Sequence, residues 1–191
     1  MIIPSQLFSG SSVVTISEVR SSNVIGGVDS SVVTGVVSSV VDGGVDIGGV
    51  VSSEIDELVY PDNCDIVINV GVSHKARTVL TLETQACGKS YCKTDVENVI
   101  KHDSKCTLEE EKNDTKFTRI NVDYVISKLK CSSVKSTDAG RYLCEYVFYK
   151  SLGLQKKSLF VHVCEEEIHS VEETADGLFE LIEILVNSYK C

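Results

Sequence analysis

Three residues in this chain are of the types that build a thiol nucleophile, its base and a carboxylate to orient that base: Cys144, His162 and Glu83. Cys144 lies in "STDAGRYLCEYVFYKSL" (136–152), an amphipathic, tyrosine-rich run behind the small pair Ala139-Gly140. Ser136, Thr137 and Asp138 are good N-cap types, so a helix is expected from about residue 139 to Tyr149, with Cys144 in its opening turns. There the positive end of the helix dipole and the unpaired N–H groups favour a thiolate and can hold an oxyanion. The competing reading is a small apolar side chain buried in the helix. The local pattern leaves both open.

Of the four histidines, His74 and His102 stand in polar loops and His169 in the acidic stretch "EEEIHS", so all three are expected to be solvated. His162 ends a short apolar run, "SLFVHV" (158–163), where it is either a satisfied core histidine or a general base. Glu83 closes "RTVLTLE" (77–83). It is either a surface charge or the group that fixes an imidazole tautomer. Taken jointly, the three suggest orienter, nucleophile and base in the chain order Glu, Cys, His.

The elements that must position them are readable from about residue 52 onward. "SSEIDELVY" (52–60) reads as a helix, "DIVINVGVS" (65–73) as a strand buried on both faces, and 77–83 as a second strand. Residues 87–118 are polar and irregular. "NVDYVISKLK" (121–130) puts Val122, Val125, Ile126 and Leu129 on one helical face, and a short extended piece covers 131–136. After the strand at 158–163, residues 170–189 form a helix. Its signature is a Ser170/Glu173 capping box and a stripe of Leu178, Leu181, Ile182, Leu185 and Tyr189. This alternation predicts an α/β domain over 52–191, with helices on both faces of a mostly parallel sheet and chemistry beyond the strand ends. Residues 1–51 differ. "NVIGGVDSSVVTGVVSSVVDGGVDIGGVVSS" (23–53) is a quasi-repeat of Val, Ser, Gly and Asp, expected to be disordered or weakly β and to carry no site.

The bulk properties exclude some partners. A formal charge of −10 over 191 residues argues against nucleic acid or an anionic membrane surface. Eight cysteines at irregular spacing, behind a start that lacks signal-peptide features, suggest reduced thiols in the cytoplasm. Cys87 and Cys92 have the spacing of half a zinc site, but no second pair follows. No metal or other cofactor is expected.

The stretches 67–83, 136–152 and "LFVHV" (159–163) resemble pyroglutamyl-peptidase I, a family of cysteine omega-peptidases, with "DAGRYLC" the most specific of them. The resemblance covers roughly 52–191. It implies an α/β/α sandwich, a Glu83–Cys144–His162 triad, and hydrolysis of the amide bond after an N-terminal pyroglutamyl residue. It also implies that Ser73 and Leu143 help line the lactam pocket; a homo-oligomer is left open. The chain departs from the family in two places. No Gly-Phe-x-Pro-Phe loop precedes residue 52, which makes a weak or inactive homologue the alternative. "HVCEEE" (162–167) also lacks the prolines that follow the family's histidine. A Cys-His-Glu glutamine amidase shares the chemistry, but "GRYLCEY" has no glycine after its cysteine.

Overall fold

The computed structural model describes residues 13–19, 36–37, 64–88, 91, 114–154 and 157–189. Among these, eight strands and three helices follow one another as β1 (Val13–Val19), β2 (Val36–Val37), β3 (Cys64–Val72), β4 (Leu80–Glu83), β5 (Gln85–Cys87), β6 (Thr115–Phe117), α1 (Val122–Lys128), β7 (Ser133–Ser136), α2 (Leu143–Leu152), β8 (Lys157–Val163) and α3 (Val171–Tyr189). The helix expected at 52–60 lies outside the described residues, as does nearly all of the Val/Ser/Gly repeat. Of the first 51 residues only β1 and β2 are described, and both pair into the main sheet.

That sheet has six strands in the order β2-β1-β3-β8-β4-β7, and β5 and β6 form a separate two-stranded ribbon. The α/β class expected from the alternation is the class observed. β8 runs parallel to β3, and β7 parallel to β4, as crossover connections through helices require. The two parallel pairs meet at an antiparallel seam between β8 and β4. β1 adds to β3 antiparallel.

Strand periodicity sorts the sheet into two faces. Ile66, Ile68 and Val70 of β3, Leu80 and Leu82 of β4, and Leu159, Val161 and Val163 of β8 join one apolar cluster. Helix α3 supplies that cluster with the expected stripe Leu178, Leu181, Ile182 and Leu185, and α1 with Val122 and Val125. Each fully buried Leu or Ile is worth about 1.5–3 kcal/mol, so this face dominates stability. The opposite face carries α2, with Val147 and Phe148 packed on Phe160 and Ala86. The three layers are therefore helices, sheet and helix.

The helix ends are set locally. Asn121 Oδ1 accepts from the Tyr124 N–H at 3.0 Å to start α1. Ser170 Oγ accepts from the Glu173 N–H at 3.2 Å to start α3. Only half of the expected capping box forms, because the Glu173 carboxylate accepts from His169 Nδ1 at 2.8 Å instead. His169 is thus a half-buried, paired residue rather than a freely solvated one. Among the described residues, no helix is long and apolar enough to cross a membrane.

Candidate active site

His162 and Glu83 meet because of the seam. In the β8–β4 register Thr81 lies opposite His162 and Glu83 opposite Phe160, so Glu83 and His162 are diagonal neighbours on one face. Diagonal pairs in an antiparallel ladder lie within reach of long side chains. Here the His162 Nδ1–H donates to Glu83 Oε1 at 2.9 Å. The histidine is 6% exposed and the glutamate 1%. The second oxygen, Glu83 Oε2, is buried with no hydrogen-bond partner among the described residues. The Phe160 ring lies 4.8 Å from the imidazole, centroid to centroid, and fixes its tilt.

The third member arrives from the helix layer. The Cys144 thiol lies close enough to the His162 ring to raise its pKa. With Nδ1 committed to Glu83, Nε2 is the nitrogen left for sulfur. Burial pushes the imidazole's pKa down, but hydrogen bonding to Cys144 and Glu83 and charge attraction to both outweigh it, and the net result is about 9. Two partners of one polarity thus hold a buried ring in its cationic form. The free thiols among the described residues are Cys87, Cys131, Cys144 and Cys164. Of these, Cys144 is the one paired with an imidazole.

Helix α2 begins at Leu143 with Tyr142 as its N-cap, not near residue 139 as expected. The capping residue types upstream are used elsewhere. Ser136 ends β7 and its Oγ accepts from the Asp138 N–H, while Asp138 Oδ1 accepts from the Gly140 N–H. The chain then turns through Gly140 at φ +98° and Arg141 at φ +53°, the left-handed region that a non-glycine residue seldom occupies. The later start places Cys144 in the very first turn. The N-cap Tyr142 makes no side-chain hydrogen bond to that turn.

Gly71 makes room for the sulfur. It is opposite His162 in the β3–β8 ladder, and a Cβ there would lie 2.9 Å from Phe160 Cζ and 3.2 Å from Cys144 Sγ. A glycine inside a strand marks such a close approach. Glu145 is the other residue that sequence reading missed. An acid directly after Cys144 reads as a solvated charge, yet Glu145 is 3% exposed. Its place in the first turn, where glutamates commonly bond back to loop N–H groups, was the available signal.

Ser73 directly follows β3, where its N–H donates to the Val163 carbonyl at 2.9 Å, one residue beyond His162. Leu143 opens α2 and packs against the Phe148–Phe160 cluster. Both therefore border the ends of the elements that carry the triad residues. His74 is exposed and paired with Glu165 across the loops that follow β3 and β8. The second of those loops stands where the family has prolines. His102 and Cys92 lie outside the described residues. Among the described residues no cluster of three or more His, Cys, Asp or Glu is arranged to hold a metal ion.

No protein-family model matches the sequence, and no curated protein matches it. Solved structures do match. A mutant pyrrolidone carboxyl peptidase from Pyrococcus furiosus is 21% identical, with a TM-score of 0.60 over 75% of this chain and 81% of that one. The pyrrolidone carboxyl peptidase of Thermococcus litoralis is 19% identical, with a TM-score of 0.58 over 71% of each chain. That of Thermus thermophilus is 21% identical, with a TM-score of 0.52 over 61% of this chain and 67% of that one. The fold is that of the pyrrolidone carboxyl peptidases. These are the pyroglutamyl-peptidase I enzymes that the motifs around Cys144 and His162 resemble.

Proposed function

We propose that this protein is a cytoplasmic thiol peptidase that hydrolyses the amide bond after an N-terminal pyroglutamyl residue, with Cys144 as nucleophile, His162 as general acid and base, and Glu83 as orienter. The observation that carries the proposal is the convergence of these side chains, 79 residues apart in the Glu83–His162 case, on one face of the sheet. With His162 already in its cationic form and holding the proton, the Cys144 sulfur attacks the carbonyl carbon of the pyroglutamyl residue. The oxyanion that forms is held by first-turn N–H groups of α2. The imidazolium then protonates the departing amine, the C–N bond breaks, and a thioester remains. Water, deprotonated by His162, hydrolyses that thioester and returns the free thiol. Glu83 keeps Nδ1 protonated throughout, so Nε2 always faces the reacting atoms.

A pyroglutamyl terminus is a neutral lactam, so its pocket should be apolar with a few amide partners. Leu143 and the Ser73 loop are the residues proposed to border it. Charge and fold supply no reason to invoke nucleic acid or a membrane as partner.

The sequence also supports a second reading, an inactive or weakly active homologue, because no Gly-Phe-x-Pro-Phe loop is present to wrap the lactam ring. Assay of the full chain with fluorogenic pyroglutamyl and glutamine amides, side by side, separates the readings. Turnover of the pyroglutamyl amide alone, abolished by Cys144→Ser, is the expected result. Turnover of neither supports the inactive homologue, and turnover of the glutamine amide alone supports an amidase.

A further inference from the structure

We infer that Glu145 is a positioning residue for the nucleophile, clamping the turn before Cys144 to the strand segment that carries Glu83; the inference rests on the thiol-peptidase reading of the site. Its two carboxylate oxygens are divided between distant backbone groups. Oε1 accepts from the Cys87 N–H at 2.8 Å, and Oε2 from the Arg141 N–H at 2.6 Å. Cys87 ends β5, which follows β4 after the single residue Thr84, so one oxygen grips the segment that carries Glu83. Arg141 is the left-handed residue two before the helix, so the other oxygen grips the turn that aims the first turn of α2.

The arrangement is costly without a purpose. Glu145 is buried, and its ion-pair partner among the described residues, Arg141 Nε, stands off at 3.7 Å. A second negative charge beside the nucleophile also opposes the build-up of negative charge on sulfur or oxyanion. What the carboxylate supplies is geometry: two acceptors at a fixed separation, joining a strained turn to a strand. Without it, Gly140 and Arg141 are free to relax toward commoner backbone angles, and the start of α2 moves with them.

The test is the alkylation rate of Cys144 by iodoacetamide, read by mass mapping of the Cys144 peptide, together with kcat and KM on a pyroglutamyl amide. Glu145→Ala is expected to slow both alkylation and kcat about 10- to 100-fold, the scale of an ångström-size misplacement, with KM little changed. Glu145→Gln keeps the volume and one acceptor oxygen, and is expected to fall between. Where the alanine variant does not fold, the glutamine variant carries the measurement. Wild-type alkylation and kcat in a folded Glu145 variant would overturn the inference. A wild-type chain without peptidase activity, whose Cys144 alkylation still falls in the Glu145 variants, would sink the peptidase reading and leave the clamp standing.

Discussion

The two faces of the central sheet are made from alternate residues of the same strands, yet they bury opposite kinds of chemistry. Under α1 and α3, the strands present Ile66, Ile68, Val70, Leu80, Leu82, Leu159, Val161 and Val163, all apolar. Under α2 they present Asn69, Gly71, Glu83, Ser158, Phe160 and His162. An unpartnered polar atom placed in that apolar cluster would cost free energy. The second is laced with hydrogen bonds: Asn69 Nδ2 donates to Ser151 Oγ at 3.0 Å, and Ser158 Oγ donates to the Ser151 carbonyl at 2.8 Å. A small sheet can thus gather its apolar side chains on one side and its buried polar groups on the other. Substitutions on the two sides should consequently fail in different ways.

The largest effect should come from the reactive face with the fold intact. Glu83→Gln preserves size and the register of β4, but it frees the imidazole to take the wrong tautomer. We expect kcat on a pyroglutamyl amide to fall about 10²- to 10⁴-fold, the range that general acid–base groups supply. Circular dichroism should be unchanged. Wild-type kcat in the Glu83→Gln variant would show that Glu83 only fills space.

Leu181→Ala is the matching experiment on the apolar face. Leu181 is fully buried in the cluster between α3 and the sheet. Its truncation should cost about 2–5 kcal/mol in denaturant unfolding, while kcat per folded molecule stays near wild type. Loss of activity without loss of stability would break the division between the faces.

How far this contrast is legible in the sequence differs between the two faces. The apolar face follows from pattern: the apolar runs at 65–73 and 158–163, and the stripe at Leu178, Leu181, Ile182 and Leu185. The triad is legible as three residue types at element ends and in family motifs, but its geometry is not. Glu83 reaches His162 only because β4 runs antiparallel to β8, and strand direction between segments so distant leaves no local trace. The start of α2 falls later than its residue types suggest for a related reason. Ser136 and Asp138 are capping types, but their oxygens stabilise the turn after β7, because the edge strand needs an exit there. The role of Glu145 is hidden in the same way, since its partner Cys87 is 58 residues away.

A smaller effect, confined to one pH window, concerns His162. Its folded pKa is about 9 against an ordinary 6.5, so the protonated ring favours the folded state. That contribution is fully present below about pH 6.5 and is lost as pH rises through about 9. Comparison with His162→Gln isolates it. The melting-temperature advantage of the wild type over the variant should be greatest below pH 6.5 and should shrink steadily to a constant above about 9. A difference that grew with pH instead would mean the ring is buried neutral and the cationic pair is absent.

The smallest effect contrasts the two helix starts. α3 begins with Ser170 accepting the Glu173 N–H, whereas α2 begins at Tyr142 with no side-chain cap among the described residues. The capped helix belongs to the apolar face, where the start of the helix has only to be stable. The uncapped one belongs to the face that carries Cys144, where the proposed function leaves first-turn N–H groups for a substrate oxygen. Ser170→Ala should therefore behave as a pure stability change, costing about 1 kcal/mol. In a chain of this length that corresponds to a fall of about 2–4 °C in melting temperature. Both kcat and KM should stay at wild-type values, since the Ser170 cap lies on the helix across the sheet from Cys144. A measurable change in kcat from so small a substitution would mean that the two faces communicate through the sheet, and that Leu159, Val161 and Val163 transmit strain to His162 between them.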